Sequence, residues 1–413
     1  PFFVLEIPGG GGIIIPPHVY STLRLFNNMN IPQIEFPNSD SEFIKNPYPY
    51  LKELRESSSL HLDTLSDLAL ITRFEDVKNV QTNKVFSSAD PEEIENPNRN
   101  EEEHEYFWRT ENFSLLNLEG QLHSDLRGLV AKAFSNRQVQ ELRPFMEKKS
   151  SDLLSEVDHK EFDLLKDYAQ PYSISVIGQL LGVPEEQYDN FLHWSNCIVK
   201  MYDLKVSTKD GEEAEQAARD FYEYIYNLID EKIEDPQNDM ISRLSEVSEN
   251  DQKLTKDQII CTVILLLNAG HEATVNTIGN SIVALNQNDI STEGLHEKYE
   301  IKNIIEELIR WDSPLQFFQR WVLEDTKLGG YELKKHSKVA MLLGSANRDD
   351  GAFKDAASIN FERENLNHTS FGGGVHFCLG AHLARLELEV SLLNLFKYDV
   401  KVLKEPVRTG AFG

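Results

Sequence analysis

Residues 254–286 constrain this chain more than any other stretch. Ile259, Ile260, Val263, Ile264, Leu265, Leu266 and Leu267 follow one another with almost no polar side. Thr255-Lys256-Asp257-Gln258 stands before them as a capping box, in which the Thr oxygen and the Gln side chain satisfy early backbone N–H groups. A long helix that is apolar all round must be enclosed by other elements. The chain can enclose one, because 40% of its 413 residues are hydrophobic. Yet Gly270, His271 and Glu272 interrupt this apolar run. Glycine costs about 1 kcal/mol against alanine inside a helix, and a buried carboxylate costs more unless it is paired. Residues that break local rules often mark function.

The expected class is therefore mainly α with a small β portion. Asn46-Pro47-Tyr48-Pro49 introduces a helix over 50–56, and a short β region is expected over 60–72. Residues 90–105 are dense in Glu, Asn and Pro and read as a long loop, either disordered or a lid. Tyr106, Phe107, Trp108 and Phe113 follow it and favour a lid over an apolar pocket. Residues 122–286 are largely helical in pattern, and a last amphipathic helix carries Leu383, Leu386, Val390 and Leu393 on one stripe.

Acidic residues number 68 against 41 basic ones, a formal charge of −27. Such a chain repels phosphate backbones, so nucleic acid is not an expected partner. Residues 2–7 and 13–15 are apolar but broken by Pro8, Gly9 to Gly12, Pro16 and Pro17. They are too short to span a bilayer, which takes about 20 residues, and lack the basic start of a signal peptide. Residues 1–45 are expected to form an irregular extension, without a membrane anchor. Cys197, Cys261 and Cys378 are few, odd in number and far apart. They suggest no disulfide framework, and a cytoplasmic location is expected.

Cys378 closes the run Phe371-Gly372-Gly373-Gly374-Val375-His376-Phe377-Cys378-Leu379-Gly380. Three glycines permit a tight turn and close approach. A helix is expected to begin near Leu379, and its N-terminus should lower the thiol pKa and favour a thiolate. A free buried cysteine beside a turn is the plain alternative, but it leaves Phe371, His376 and the glycines unexplained.

This run resembles the haem-binding loop of cytochrome P450, Phe-Gly-x-Gly-x-His-x-Cys-x-Gly, at every fixed position. The resemblance implies the triangular helical prism of that family over 46–413, with haem b held by Cys378 as the metal ligand. It implies that Phe371 shields the sulfur, that Gly380 ends the loop, and that His376 reaches a propionate. Glu307-Leu308-Ile309-Arg310 alone would be a surface pair worth a few tenths of a kcal/mol. With Arg363 it resembles the family's Glu-Arg-Arg network, which braces the loop. His123 and Arg127 share a helix face and resemble the family's early propionate pair, and Arg320 resembles a further one. The family often carries Asp-Pro-Pro-Glu before that His, whereas this chain has Glu119-Gly120-Gln121-Leu122. Val176 to Pro184 and Ser345 to Asp349 also resemble family segments. The family ordinarily continues a little beyond position 413.

Asn268-Ala269-Gly270-His271-Glu272-Ala273-Thr274 resembles the family's Ala-Gly-x-Asp/Glu-Thr-Thr. There the helix opens at Ala-Gly, here Ala269-Gly270, to make an oxygen pocket; the acid relays protons and the first Thr steadies bound oxygen. Glu272 matches the acid, but Ala273 replaces the first Thr and only Thr274 remains. The resemblance implies a monooxygenase that inserts one atom of O2 into a small organic substrate. Electrons would come from a separate ferredoxin or flavodoxin, since no flavin or iron–sulfur motif is visible. Substrate contacts are expected from the aromatic segment, from Asn268, Ala269 and Ala273, and from Leu315, Gln316, Phe317 and Phe318. A peroxide-driven haem-thiolate enzyme and a non-catalytic haem protein remain open, although Glu272 is most useful for protonating bound O2. A substrate-induced spin shift followed by NAD(P)H-dependent product would separate them.

Overall fold

The computed structural model describes residues 3–6, 12–15, 30–94, 101–202, 206–249 and 252–408. Residues 1–2, 7–11 and 16–29 of the expected extension, and residues 95–100 of the acidic loop, lie outside the described residues. Within the N-terminal stretch, Phe3–Glu6 pairs antiparallel with Gly12–Ile15, and Asp40 caps a short helix, Ser41–Lys45. The stretch is thus less irregular than its composition suggests.

Pro47 and Pro49 open helix α1 (Tyr48–Ser57), where the missing N–H of proline costs nothing. Helices α2 (Phe74–Thr82), α3 (Glu105–Glu111) and α4 (Gly120–Ala133) follow. A π-helical turn, Leu164–Ala169, runs into α5 (Gln170–Leu181), which ends on Gly182 at φ 84°. Next come α6 (Thr208–Glu234), α7 (Lys256–Gln287), α8 (Ile301–Trp311) and α9 (Ala381–Leu395).

The α7 capping box forms as expected: Gln258 N donates to Thr255 Oγ1 at 3.3 Å and Thr255 N to Gln258 Oε1 at 2.9 Å. Helix α7 runs through the main helical core, against α5, α6, α8 and α9. It is long and apolar enough to cross a membrane, but much of it is buried inside the fold.

Six strands make one sheet: β1 (Gln33–Ile34), β2 (Leu60–Asp63), β3 (Leu68–Ile71), β4 (Phe86–Ser87), β5 (Phe317–Val322) and β6 (Lys338–Leu342), in the order β1-β2-β3-β6-β5-β4. Side chains alternate faces along a strand. Ala69, Ile71, Val339 and Met341 pack into one cluster, and Leu68, Leu70, Ala340 and Leu342 into another. Both faces of the central strands are therefore covered, which is why they read as apolar runs.

Candidate active site

The cysteine loop hangs between the sheet and α9. Cys378 N donates to Phe371 O at 2.8 Å and Gly372 N to Thr369 O at 2.9 Å. Gly372 and Gly374 adopt φ 71° and 61°, the left-handed region that favours glycine. A Cβ on Gly374 would sit 2.6 Å from Gln81 O of α2, so the loop's close fit needs glycine there.

The brace behind the loop is buried. Glu307 and Arg310 are 0% exposed and Arg363 is 8% exposed. Arg310 donates to both Glu307 oxygens at 2.7 Å, and Arg363 Nε adds a bond at 3.1 Å. Arg310 also holds Asn347 O at 2.7 Å. Asn347 passes the constraint on: its Oδ1 accepts from Thr369 N at 2.8 Å and its Nδ2 donates to Ser370 Oγ at 2.8 Å. The network therefore ends one residue before Phe371.

Helix α9 begins at Ala381 with Gly380 as its N-cap, two residues later than expected. The expected fall in thiol pKa is not what the structure shows. Burial pushes the Cys378 thiol up, and the Gly380 N–H, Arg127 and Arg385 only partly oppose it. Desolvation outweighs the pull of the helix N-cap. Arg385 stacks 4.3 Å over the Phe371 ring and donates to Glu306 at 2.6 and 2.9 Å.

Four expected propionate ligands converge beside the loop. Arg127 donates to Phe377 O. The His123 and His376 rings lie 4.5 Å apart. Glu119, which departs from the family pattern, accepts from His376 Nε2 at 3.0 Å and from Ser88 N at 2.9 Å. Burial acts to raise Glu119, but these bonds hold it down at about 2. Burial, with His376 and Arg127 adding to it, lowers His123 to about 4. Burial also lowers Arg320, whose hydrogen bond among the described residues goes to Gln319 O.

These groups fit a dianionic ligand. His123 Nε2 is buried without a partner, and Glu119 acts on both His123 and Arg320. In a chain of charge −27, two arginines, Arg127 and Arg385, act on the Cys378 sulfur. Haem carries two carboxylates, and Gly380, whose Cβ would stand 4.0 Å from Cys378 Sγ, leaves room beside the sulfur.

Mid-way along α7 the burial pattern changes. Ala269 and Asn276 are exposed and Leu265, Glu272 and Ala273 half-buried, while Leu267, Asn268, His271, Thr274 and Val275 are buried. These positions share one face of a helix, so a stripe of the enclosed helix faces an interior chamber. Burial raises the Glu272 carboxyl above its ordinary range.

Thr274 lies off this stripe. It donates to Gly270 O at 3.1 Å and bonds to Glu387 of α9, so it faces away from the chamber that Ala273 lines. The helix is also unbroken at Ala269-Gly270, contrary to the expected opening. A Cβ on Gly270 would meet Ile177 of α5 at 3.4 Å, so the glycine serves helix packing. Phe317 and Phe318 are split between the two faces of the sheet, so they do not line one pocket together. Gln316 is 8% exposed, donates to Ser313 O at 2.7 Å and packs against Gly344. Leu315 is half-buried beside it. Asn268 is 9% exposed with its Oδ1 unpartnered.

The aromatic segment is helix α3. Tyr106 N and Phe107 N each donate to the Glu215 carboxylate of α6 at 3.0 Å. Arg219 lies 4.4 Å over Tyr106.

The Cytochrome P450 family profile matches residues 68–408. The chain is 33% identical over 384 residues to the polyketide biosynthesis cytochrome P450 PksS of Bacillus subtilis, covering 88% of this chain and 91% of that protein. It is 31% identical to a steroid C26-monooxygenase of Rhodococcus jostii, covering 92% and 82%. Among solved structures, P450BioI in complex with a hexadec-9Z-enoic acid ligated acyl carrier protein superposes with a TM-score of 0.79 at 31% identity, covering 86% of this chain and 92% of that one. The loop, its buried brace and these likenesses agree: this chain belongs to the cytochrome P450 family and is a haem-thiolate monooxygenase.

Proposed function

We propose that Cys378 ligates the iron of haem b and that His123, Arg127, Arg320 and His376 bind its propionates. The convergence of these four groups on the cysteine loop, with His123 Nε2 left without a partner, carries the reading. Haem, when bound, supplies the reductive activation of O2 that leaves one atom in the product and one in water. Phe371 and Arg385 cover the loop's near side, and Arg127 fixes the carbonyl beside Cys378. Burial shifts Glu272 towards its neutral form, which suits it to deliver a proton in the chamber. Ala273 offers no hydroxyl and Thr274 is engaged with Glu387, so a water or a substrate hydroxyl completes the proton path. Electrons come from a separate ferredoxin or flavodoxin, and the protein works in the cytoplasm.

The test supplies NAD(P)H, a ferredoxin–reductase pair, 18O2 and a panel of apolar small molecules. One labelled oxygen in a hydroxylated product, dependent on NAD(P)H, is expected. Product formed only with added peroxide, or carrying solvent oxygen, would overturn the reading.

A further inference from the structure

Helix α8 carries two successive acids, and the brace uses only one of them. Neighbouring residues on a helix point about 100° apart. Glu307 turns into the core towards Arg310 and Arg363, whereas Glu306 turns towards α9 and the cysteine loop. Glu306 keeps 17% of its side chain exposed and takes both arms of Arg385, from Nε at 2.6 Å and from Nη2 at 2.9 Å. A planar guanidinium held by two arms is fixed in orientation as well as in position.

That orientation lays Arg385 against the loop. Its guanidinium stands 4.3 Å over the Phe371 ring, and Phe371 O accepts from Cys378 N at 2.8 Å. His368 makes a second link. Ser370 N donates to His368 Nδ1 at 3.3 Å, so the ring proton sits on Nε2, which faces Glu306 Oε2 at 3.3 Å. The His368 ring lies 5.6 Å from that of Phe371. Glu306 thus anchors two side chains that both meet Phe371.

Burial acts to raise the Glu306 carboxyl, but Arg385 and His368 hold it down at about 2, so it stays ionised. A full negative charge therefore offsets a full positive one beside the loop. A cation near a thiolate stabilises the charge on sulfur and weakens what the sulfur gives to a metal; an anion does the reverse.

We propose that Arg385 and Glu306 are a positioning pair that sets the reduction potential of the haem. Arg385 draws on the charge of the Cys378 sulfur, and Glu306 both offsets that draw and fixes where the guanidinium stands. The proposal rests on the reading of Cys378 as the haem ligand. The two charges oppose each other, so removing them acts in opposite directions.

The experiment is the one-electron midpoint potential of the haem-loaded protein, read by dye-equilibrated spectroelectrochemistry without substrate or redox partner. Arg385→Gln removes the cation and should disfavour reduction by at least about threefold, or about 28 mV for one electron. Glu306→Gln keeps the cation and should favour reduction by a similar factor. Arg385→Lys keeps the charge and should stay nearer the parent than Arg385→Gln does. Shifts of one sign in both Gln variants, which a merely loosened loop would give, overturn the proposal, and so do unmoved potentials. If Arg385→Gln does not retain haem, a Glu306→Gln potential at or below that of the parent overturns it alone. The ferrous–CO spectrum keeps the two readings apart: a thiolate band with unmoved potentials removes only the role of this pair, and a parent without that band removes both.

Discussion

At the scale of single residues, Glu387 is the clearest case of burial setting chemistry. It is 1% exposed, with Oε2 unpartnered. Burial raises its carboxyl to about 8, while the Thr274 bond pulls the other way. The folded chain therefore keeps a proton that the unfolded chain releases near pH 4.3. Stability from this group is full below that value and is lost as pH climbs to about 8, by at most about 1.4 kcal/mol per pH unit. Glu387→Gln should flatten the fall in melting temperature between pH 6 and pH 8, and equal slopes in the two proteins would contradict this account. Ala273 allows a second test, the ratio of product formed to NAD(P)H consumed. Ala273→Thr should raise that ratio with plain apolar surrogates and leave it unchanged or lower with a substrate that brings its own hydroxyl. A fall with the surrogates would contradict it. Some of this was legible beforehand. Gly270 and Glu272 announce themselves because they break the rules of a buried helix. The direction of Thr274 does not, because it is set by Glu387, more than a hundred residues further along the chain.

At the scale of elements, the brace behind the cysteine loop differs from the ion pairs on the surface. Glu307 and its arginines are buried together, whereas Arg137 and Glu141 pair with side chains 88% and 45% exposed. Breaking a buried pair strands a charge and costs about 3–5 kcal/mol, while an exposed pair is worth about 0–1 kcal/mol. Glu307→Ala should therefore lose bound haem and cooperative unfolding in urea, and Arg137→Ala should shift neither measurably. Similar urea midpoints for the two variants would refute the brace. Helix α7 and its cap were readable, since the capping box and the apolar run are local in sequence. The split of Phe317 and Phe318 follows from strand alternation once β5 is known to be a strand. The Arg385–Glu306 bond had no such signal, because 79 residues separate its partners. Glu119 gave a faint one, as the place where the chain leaves the family pattern.

At the scale of the whole molecule, an acidic chain closes its core around α7 and brings His123, Arg127 and His376 beside one cysteine loop. His123 Nε2 is left without a partner there, and Arg127 and Arg320 bond to backbone carbonyls. Arg127→Ala should then weaken haem retention well beyond the roughly 0.5 kcal/mol of an ordinary surface change, read as faster haem transfer to apomyoglobin; an unchanged transfer rate would count against that assignment. The mainly helical class with one small sheet was legible because long apolar and amphipathic periods dominate the sequence. The pairing order of the sheet was not, since β3 meets β6 across more than 260 residues. Everything functional depends on the sulfur of Cys378. The most direct measurement is the ferrous–CO spectrum of the purified protein and of Cys378→Ser. A thiolate-type, red-shifted Soret band in the parent that disappears in the variant is the expected result; a histidine-type band in the parent, or a red-shifted band that survives the substitution, would contradict the account.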